Sequence, residues 1–248
     1  MGTMLRVQFL GSGDAFGSGG RFNTCFLVQG SAGSFLIDCG ASALISMRRF
    51  GIDPNTIGTI FISHLHGDHF GGLPFLILDA QFYSKRTGPL TIAGPPGLAG
   101  RLHQAMEVFF PGSSTVQQKF ATEVVELLPG RHATINGVTV APFEVRHACG
   151  APPFALRFSC DGKILAYTGD TEWTEALVSA GRGADLLIAE ALFYDRAVKF
   201  HLDYATLRAH LAEIAARRVV LTHMGPDMLR RLDDVAHETA EDGRIVEL

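Results

Sequence analysis

The sequence predicts an α/β protein layered as helix, sheet, sheet, helix, with two sheets packed face to face and helices on both outer sides. Three observations predict it. Strand-like runs fall into two groups along the chain, and each group is flanked by segments of helical periodicity. No low-complexity or charge-rich linker separates the groups, so residues 1–248 read as a single domain. The run "IGTIFIS" (57–63) is apolar without alternation, as in a strand covered on both faces.

The elements follow in order. "MLRVQFL" (4–10) and "TCFLVQ" (24–29) are strands separated by the glycine-rich "GSGDAFGSGG" (11–20). That stretch lacks the GxGxxG spacing of a dinucleotide site and leads into a strand, so it reads as a flexible loop near a site mouth. "SFLIDCG" (34–40) is a third strand, ending on Asp38 and a glycine. "ASALISMRRFG" repeats apolar residues at helical spacing and stops at Gly51, a fitting helix end. After strand 57–63 come helix "GLPFLILDAQFYS", strand "PLTIAG" and helix "PPGLAGRLHQAMEVFF", with proline favoured near its start. The second half is richer in strands: "FATEVVEL", "VTVAPFEVRH", "FALRFSC" and "KILAYTGD". Helix "TEWTEALVSAG" leads into strand "ADLLIAEAL", and helix "DYATLRAHLAEIAARR" precedes strand "VVLTH". A short helix and the strand "RIVEL" complete the tail.

Composition narrows the partners. The chain is 47% hydrophobic and 19% charged with 28 glycines, as suits a globular protein with many tight turns. Its net charge of −4 supplies no global basic field for nucleic acid, and Lys85, Lys119, Lys163 and Lys199 do not cluster. Cys25, Cys39, Cys149 and Cys160 show no CxxC spacing and read as buried, reduced thiols. The N-terminal stretch lacks a basic segment followed by a long apolar run, so no signal peptide is expected. No apolar stretch reaches the length of a membrane span. The expectation is a cytoplasmic protein without a membrane partner.

The chemistry is concentrated in "ISHLHGDHFGG" (62–72), where His64, His66, Asp68 and His69 crowd together in an HxHxDH pattern. Imidazole nitrogens and carboxylate oxygens suit zinc, manganese or iron. In an extended segment alternate residues share a face, so His64 and His66 can hold one metal. A turn at Gly67 then aims Asp68 and His69 at a second. Neither set is complete, so partners must come from elsewhere. Strand ends offer them: His147 in "VRHACG", Asp170 in "AYTGDT" and His223 in "VVLTHMGPD". Polar residues ending apolar strands point toward a shared edge where a site can be built.

From Asp38 through HxHxDH, His147, Asp170 and His223, the pattern resembles the metallo-β-lactamase fold superfamily. More narrowly, "LGSGDAFGSGGRFNTCFLV", "FLIDCG", "ISHLHGDHFGGLPFLI", "LTIAGPPGL", "ILAYTGDT", "LLIAEALF" and "LTHMGP" resemble the ribonuclease Z branch, from about residue 7 to about residue 228. The resemblance implies an αββα sandwich and two divalent metal ions, zinc first among them. It places His64, His66 and His147 on the first ion, Asp68, His69 and His223 on the second, and Asp170 between the two. Asp38 would support the site from behind, fixing histidine orientation. A hydroxide bridging the ions would be the nucleophile, oriented by Asp68. His201 in "KFHLDY" would protonate the leaving group, held in its tautomer by Glu190 of "IAEAL".

One departure matters for substrate. Bacterial ribonuclease Z proteins carry a long tRNA-gripping arm between the third and fourth motifs, whereas here only "ACGAPPFALRFSCDGKILAYTG" separates His147 from Asp170. Binding structured RNA draws on several phosphate contacts, which this acidic, lysine-poor chain does not offer. The leading expectation is therefore a dinuclear phosphodiesterase for a small phosphodiester, a cyclic nucleotide-like or otherwise compact molecule. Arg21 and Arg157 are candidate phosphate contacts. The alternatives are a lactone or thioester hydrolase, a tRNA 3′-processing endonuclease, and a non-hydrolytic accessory or redox protein. Dimers are common among such proteins, which raises a homodimer, although no self-association surface stands out. His103, His132, His210 and His237 are expected to be solvated.

Overall fold

Two seven-stranded sheets face each other in the computed structural model, which describes residues 4–248. The first sheet takes β1 (Arg6–Gly11), β2 (Cys25–Gly30), β3 (Gly33–Ile37), β4 (Ile57–Phe61), β5 (Leu90–Gly94) and β6 (Thr122–Glu126). The second takes β7 (Ala133–Ile135), β8 (Val138–Glu144), β9 (Phe154–Cys160), β10 (Lys163–Tyr167), β11 (Leu186–Glu190), β12 (Val219–Thr222) and β13 (Glu238–Thr239). The last strand, β14 (Ile245–Glu247), returns to the first sheet and pairs antiparallel with β1. The strand orders are β14-β1-β2-β3-β4-β5-β6 and β13-β12-β11-β10-β9-β8-β7.

The central core explains why the sheets stack. Phe9, Phe26, Phe35 and Phe61 of the first sheet meet Phe154, Phe158 and Tyr167 of the second, all buried. Edge-to-face contacts at 5.1 Å between Phe61 and Phe158 and 5.2 Å between Phe26 and Tyr167 cross the interface, a geometry favoured by the ring quadrupoles. Strand alternation sends the neighbouring residues the other way. Thus Cys25, Leu27 and Leu36 face an outer layer formed by α1 (Ala43–Arg49), α3 (Leu73–Phe82) and α4 (Leu98–Phe109). On the far side α5 (Ala176–Gly181), α6 (Tyr204–Ile214) and α7 (Pro226–Leu229) cover Ala155, Ala166, Leu187 and Leu221. The four layers are those expected, and among the described residues no helix is long and apolar enough to cross a membrane.

Several elements differ from the expectation. A single helical turn, α2 (Gly67–Phe70), occupies the middle of the histidine motif. The strand β7 was not expected; it pairs with β8 through a two-residue Asn136-Gly137 turn with φ of 48° and 83°, the primed geometry that matches strand twist. Helix α5 is shorter than "TEWTEALVSAG", and α6 stops at Ile214, where Ala215 turns left-handed at φ 53°. The four cysteines are buried and free. Strands β3 and β4 are parallel, as are β10, β11 and β12. Their carboxyl ends deliver Asp38, the histidine motif, Asp170, Glu190 and His223 to one edge of the sandwich.

Candidate metal centre

The motif leaves β4 in extended conformation through His66 (φ −83°, ψ 151°) and then tightens into α2. Backbone bonds lock this turn to the segment after β3: Cys39 N–H donates to the His69 carbonyl at 2.6 Å, and Gly72 N–H to the Cys39 carbonyl at 2.8 Å. The approach is so close that a Cβ on Gly40 would overlap the Asp68 carbonyl oxygen.

Two groups of donors result. His64, His66 and His147 form one; Asp68, His69, Asp170 and His223 form the other, and within each the ligand atoms lie within 4.8 Å of one another. Asp170 Oδ2 touches both, at 3.3 Å from His69 Nε2, 3.3 Å from His223 Nε2 and 3.8 Å from His64 Nε2. All seven residues predicted to ligate are therefore brought together. The fit to cations is testable on the orphaned atoms. Nε2 of His64, Nε2 of His69 and Oδ1 of Asp170 are buried without a hydrogen-bond partner, a costly state for a polar atom. The carboxylate contacts of His69 Nε2 have ion-pair distances without hydrogen-bond geometry. His66 Nδ1 and His147 Nε2 approach to 2.9 Å, where two lone pairs repel unless a proton or cation lies between them. A mixed nitrogen and oxygen donor set of this kind fits divalent zinc-like ions.

Each inward nitrogen is set by what holds its ring from behind. Asp38 accepts from the Ser63 N–H at 2.7 Å, the Ser63 hydroxyl at 2.8 Å and His69 Nδ1 at 2.7 Å. Because the Ser63 hydroxyl gives its proton to Asp38, it accepts from His64 Nδ1 at 3.1 Å. His147 Nδ1 donates to the Phe200 carbonyl at 2.8 Å. In all three rings Nε2 is left free for the centre. Ser63 and Phe200 were not anticipated. Asp38 (φ 58°), Phe200 (φ 71°) and His223 (φ 57°) all hold left-handed backbone conformations, which non-glycine residues adopt at a cost of about 1–3 kcal/mol.

Electrostatics match a cation site. Burial alone would raise the Asp68 carboxyl, but His69 and His223 outweigh it and hold it well below the usual carboxylate range. Asp170 behaves alike: burial is opposed by His223 and His69, and the net direction is down. Burial disfavours charge on His223, yet Asp170 and a hydrogen bond to Asp68 push it up to about 9. Burial and the neighbouring His69 drive His64 well down. The carboxylates are thus ionised, as ligands must be, and protons on the ring nitrogens are what a cation would displace.

Beside the centre, His201 Nδ1 lies 2.5 Å from Glu190 Oε1. Glu190 is fully buried, and its other oxygen accepts from Thr171 N–H at 2.8 Å and Leu202 N–H at 3.3 Å. Burial, then the charge on Asp170, raise the Glu190 carboxyl; for His201 burial is outweighed by the Glu190 hydrogen bond and the pKa rises. A cavity of about 210 Å³ opens here, lined by His66, Asp68, Asp170, His201 and His223 together with Asp14, Ala15, Phe16 and Leu192. The glycine-rich segment thus lines the cavity, as its expected place near a site mouth requires, but hydrogen bonds to the Asp14 carboxylate pin it where a flexible loop was expected.

Other candidates lie elsewhere. Arg157 donates to the carbonyls of Ala180 and Arg182 at 2.8 and 2.9 Å, so it ties down the end of α5 rather than reaching a phosphate. Arg21 is held by the Ala240 carbonyl at 2.5 Å. His103 and His132 are exposed. His210 instead stacks on Trp173 at 3.8 Å, and His237 Nδ1 lies 3.0 Å from the Tyr204 hydroxyl.

Known proteins share this architecture. The chain is 27% identical to the ribonuclease Z of Methanosarcina acetivorans, over 94% of this chain and 90% of that protein. Its fold superposes on human tRNase Z, short form, with a TM-score of 0.77 and 26% identity, covering 97% of this chain and 98% of the other. A diphosphatase from the PhnP family gives a TM-score of 0.78 at 19% identity, over 98% of both chains. Fold, donor set and these likenesses define the class, a metal-dependent hydrolase of the metallo-β-lactamase fold. Within it, the chain belongs to the family described as Anti-Pycsar protein Apyc1, whose model matches residues 5–242.

Proposed function

We propose that the chain is a dinuclear phosphodiesterase acting on a small phosphodiester, with zinc as its metal and manganese or iron as the other ions its donors suit. The carrying observation is the His201–Glu190 pair, 2.5 Å apart, whose histidine lines a cavity that residues of both donor groups also line. A thiolate leaves a thioester unaided, but an alkoxide needs a proton, and this pair is a fixed donor with its orienter. The relatives named above, a ribonuclease, a tRNase and a diphosphatase, favour a phosphorus centre over an acyl one.

His64, His66 and His147 would hold one cation, Asp68, His69 and His223 the other, with Asp170 shared. Bound cations supply water activation near neutral pH and stabilise charge in the transition state. Asp68 orients the attacking water and takes its proton. Glu190 holds His201 Nδ1, so His201 Nε2 is the nitrogen that gives a proton to the leaving oxygen. Asp38 and Ser63 keep His69 and His64 aimed throughout.

The cavity volume of about 210 Å³ supports a compact substrate. A second reading, tRNA 3′-processing, draws on the ribonuclease Z likeness. Against it, only a short loop and the β9–β10 hairpin separate His147 from Asp170, and the net charge is −4. Activity of the zinc-loaded protein on bis-p-nitrophenyl phosphate and a nucleoside 3′,5′-cyclic phosphate, beside a lactone, a thioester and a tRNA precursor, tests the proposal. Turnover confined to the lactone or thioester would overturn it, and preference for the tRNA precursor would install the second reading.

A further inference from the structure

Phe16 is 94% exposed, although it lines the same cavity as Asp68 and Asp170. The loop that carries it is tightly built. The buried Asp14 carboxylate accepts from Phe16 N–H at 3.2 Å, Ser18 N–H at 2.8 Å and the Ser18 hydroxyl at 2.6 Å. Asn23 Nδ2 donates to the Asp14 carbonyl at 3.2 Å, and Gly17 takes the left-handed turn at φ 66°. The ring is therefore presented to solvent by a fixed scaffold. With Ala15 and Leu192 it supplies the apolar lining of the cavity that Asp68, Asp170 and His201 also line. In a cavity of about 210 Å³, a ligand whose anionic centre meets the polar residues brings its remaining part against this apolar lining.

We infer that Phe16 is a specificity-determining residue: its ring is the platform on which a planar aromatic substituent of the substrate, a nucleobase or an aryl ring, stacks. The inference rests on the phosphodiesterase reading only for the polar centre. A flat face matches a flat face, and stacking of a base on one aromatic side chain is worth about 1–3 kcal/mol, roughly 5- to 150-fold in affinity. Leu192 and Ala15 offer apolar contact without a π face, so Phe16 alone of the three distinguishes a planar ring from an aliphatic group of similar size.

The test titrates the zinc-loaded protein calorimetrically with a nucleoside 5′-monophosphate, phenyl phosphate and ribose 5-phosphate. The two ring-bearing ligands should bind about tenfold more tightly than ribose 5-phosphate. Phe16→Ala should erase that difference while leaving ribose 5-phosphate within about twofold, and Phe16→Trp should restore it. For turnover, Phe16→Ala should raise KM but not lower kcat on a nucleoside 3′,5′-cyclic phosphate, with the base-free cyclic sugar phosphate unaffected. A stronger nucleotide than phenyl phosphate signal identifies the ring as a nucleobase; equal signals identify any flat ring. Equal binding of all three ligands by the wild-type protein, or an equal loss of all three in Phe16→Ala, would overturn the inference. Ring-dependent binding without turnover of any diester would instead remove the phosphodiesterase reading and leave the platform standing.

Discussion

Asp38 Oδ2 receives His69 Nδ1 at 2.7 Å, and neither side chain has any exposed surface. The same carboxylate holds Ser63, which in turn receives His64 Nδ1 at 3.1 Å. One residue that belongs to neither donor group thus aims one histidine in each, His69 directly and His64 through Ser63. Asp38→Asn keeps the volume but puts two amide hydrogens where three donors converge, so at least one donor must lose its acceptor. Zinc affinity should fall about 10- to 100-fold, read by competition with a chromogenic chelator, while circular dichroism stays native. Unchanged affinity would remove Asp38 from its supporting role.

Gly40 faces the Asp68 carbonyl and the Asn23 side chain so closely that no Cβ fits. The obstacle is backbone, which cannot rotate away. Gly40→Ala should cost about 1–3 kcal/mol, the scale of overpacking, which for a chain of this length lowers Tm by several degrees. Because the displaced segment carries Asp68 and His69, zinc affinity should fall with it. A melting curve and a metal titration together check both halves.

Metal removal should destabilise the whole protein. The buried Nε2 atoms of His64 and His69 have no hydrogen-bond partner within the protein, and ions that bind only the folded chain stabilise it by mass action. At a free zinc concentration of about 100 times Kd the gain is about 2.7 kcal/mol per site, or roughly 5–10 °C in Tm for a domain of this size. Scanning calorimetry with and without a chelator measures it. A Tm indifferent to chelation would mean that these donors do not bind ions in solution.

Much of this site is legible along the chain, for a physical reason. Ligands at strand ends stand beside apolar runs, so His147, Asp170 and His223 are conspicuous where their strands stop. The spacing of His64 and His66 in the extended segment after β4, and the glycine that follows them, foreshadow two donor groups. What orients the ligands is harder to read. The Phe200 carbonyl that fixes His147 is a backbone atom, 53 residues distant, and any residue type could supply it. Ser63 stands next to the motif, but a serine at a strand end carries no mark of an acceptor for His64. The unexpected strand β7 did have a signal, the Asn136-Gly137 pair between β-branched residues, which is among the stronger hairpin cues. Helix α5 begins late, at Ala176, although it stops at the expected Gly181, and α6 ends early, at Ile214, because Ala215 turns left-handed there.

Asp68 should separate chemistry from folding. Its carboxylate is within 3.1 Å of His69 Nε2 and 3.2 Å of His223 Nε2, and it also lines the cavity. Asp68→Ala removes a proton acceptor whose loss costs about 10²- to 10⁴-fold in rate. The protein should still fold, since the truncated side chain sits at the cavity surface and leaves the central core intact. Full activity in a folded, zinc-loaded Asp68→Ala protein would sink the assigned role.

His201 makes the sharpest prediction, because its role depends on the leaving group. A p-nitrophenolate departs without a proton, whereas an alkyl alkoxide needs one in the transition state. His201→Ala should therefore slow an alkyl-leaving diester about 10²- to 10⁴-fold while slowing bis-p-nitrophenyl phosphate by much less, with kcat and kcat/KM falling together on the slow substrate. Glu190→Gln should follow the same pattern more weakly, since it leaves the imidazole in place but removes the charge that holds Nδ1 at 2.5 Å. Steady-state kinetics on the two diesters, for both variants, decide the matter: an equal loss on the two leaving groups would make His201 a substrate contact and not the acid.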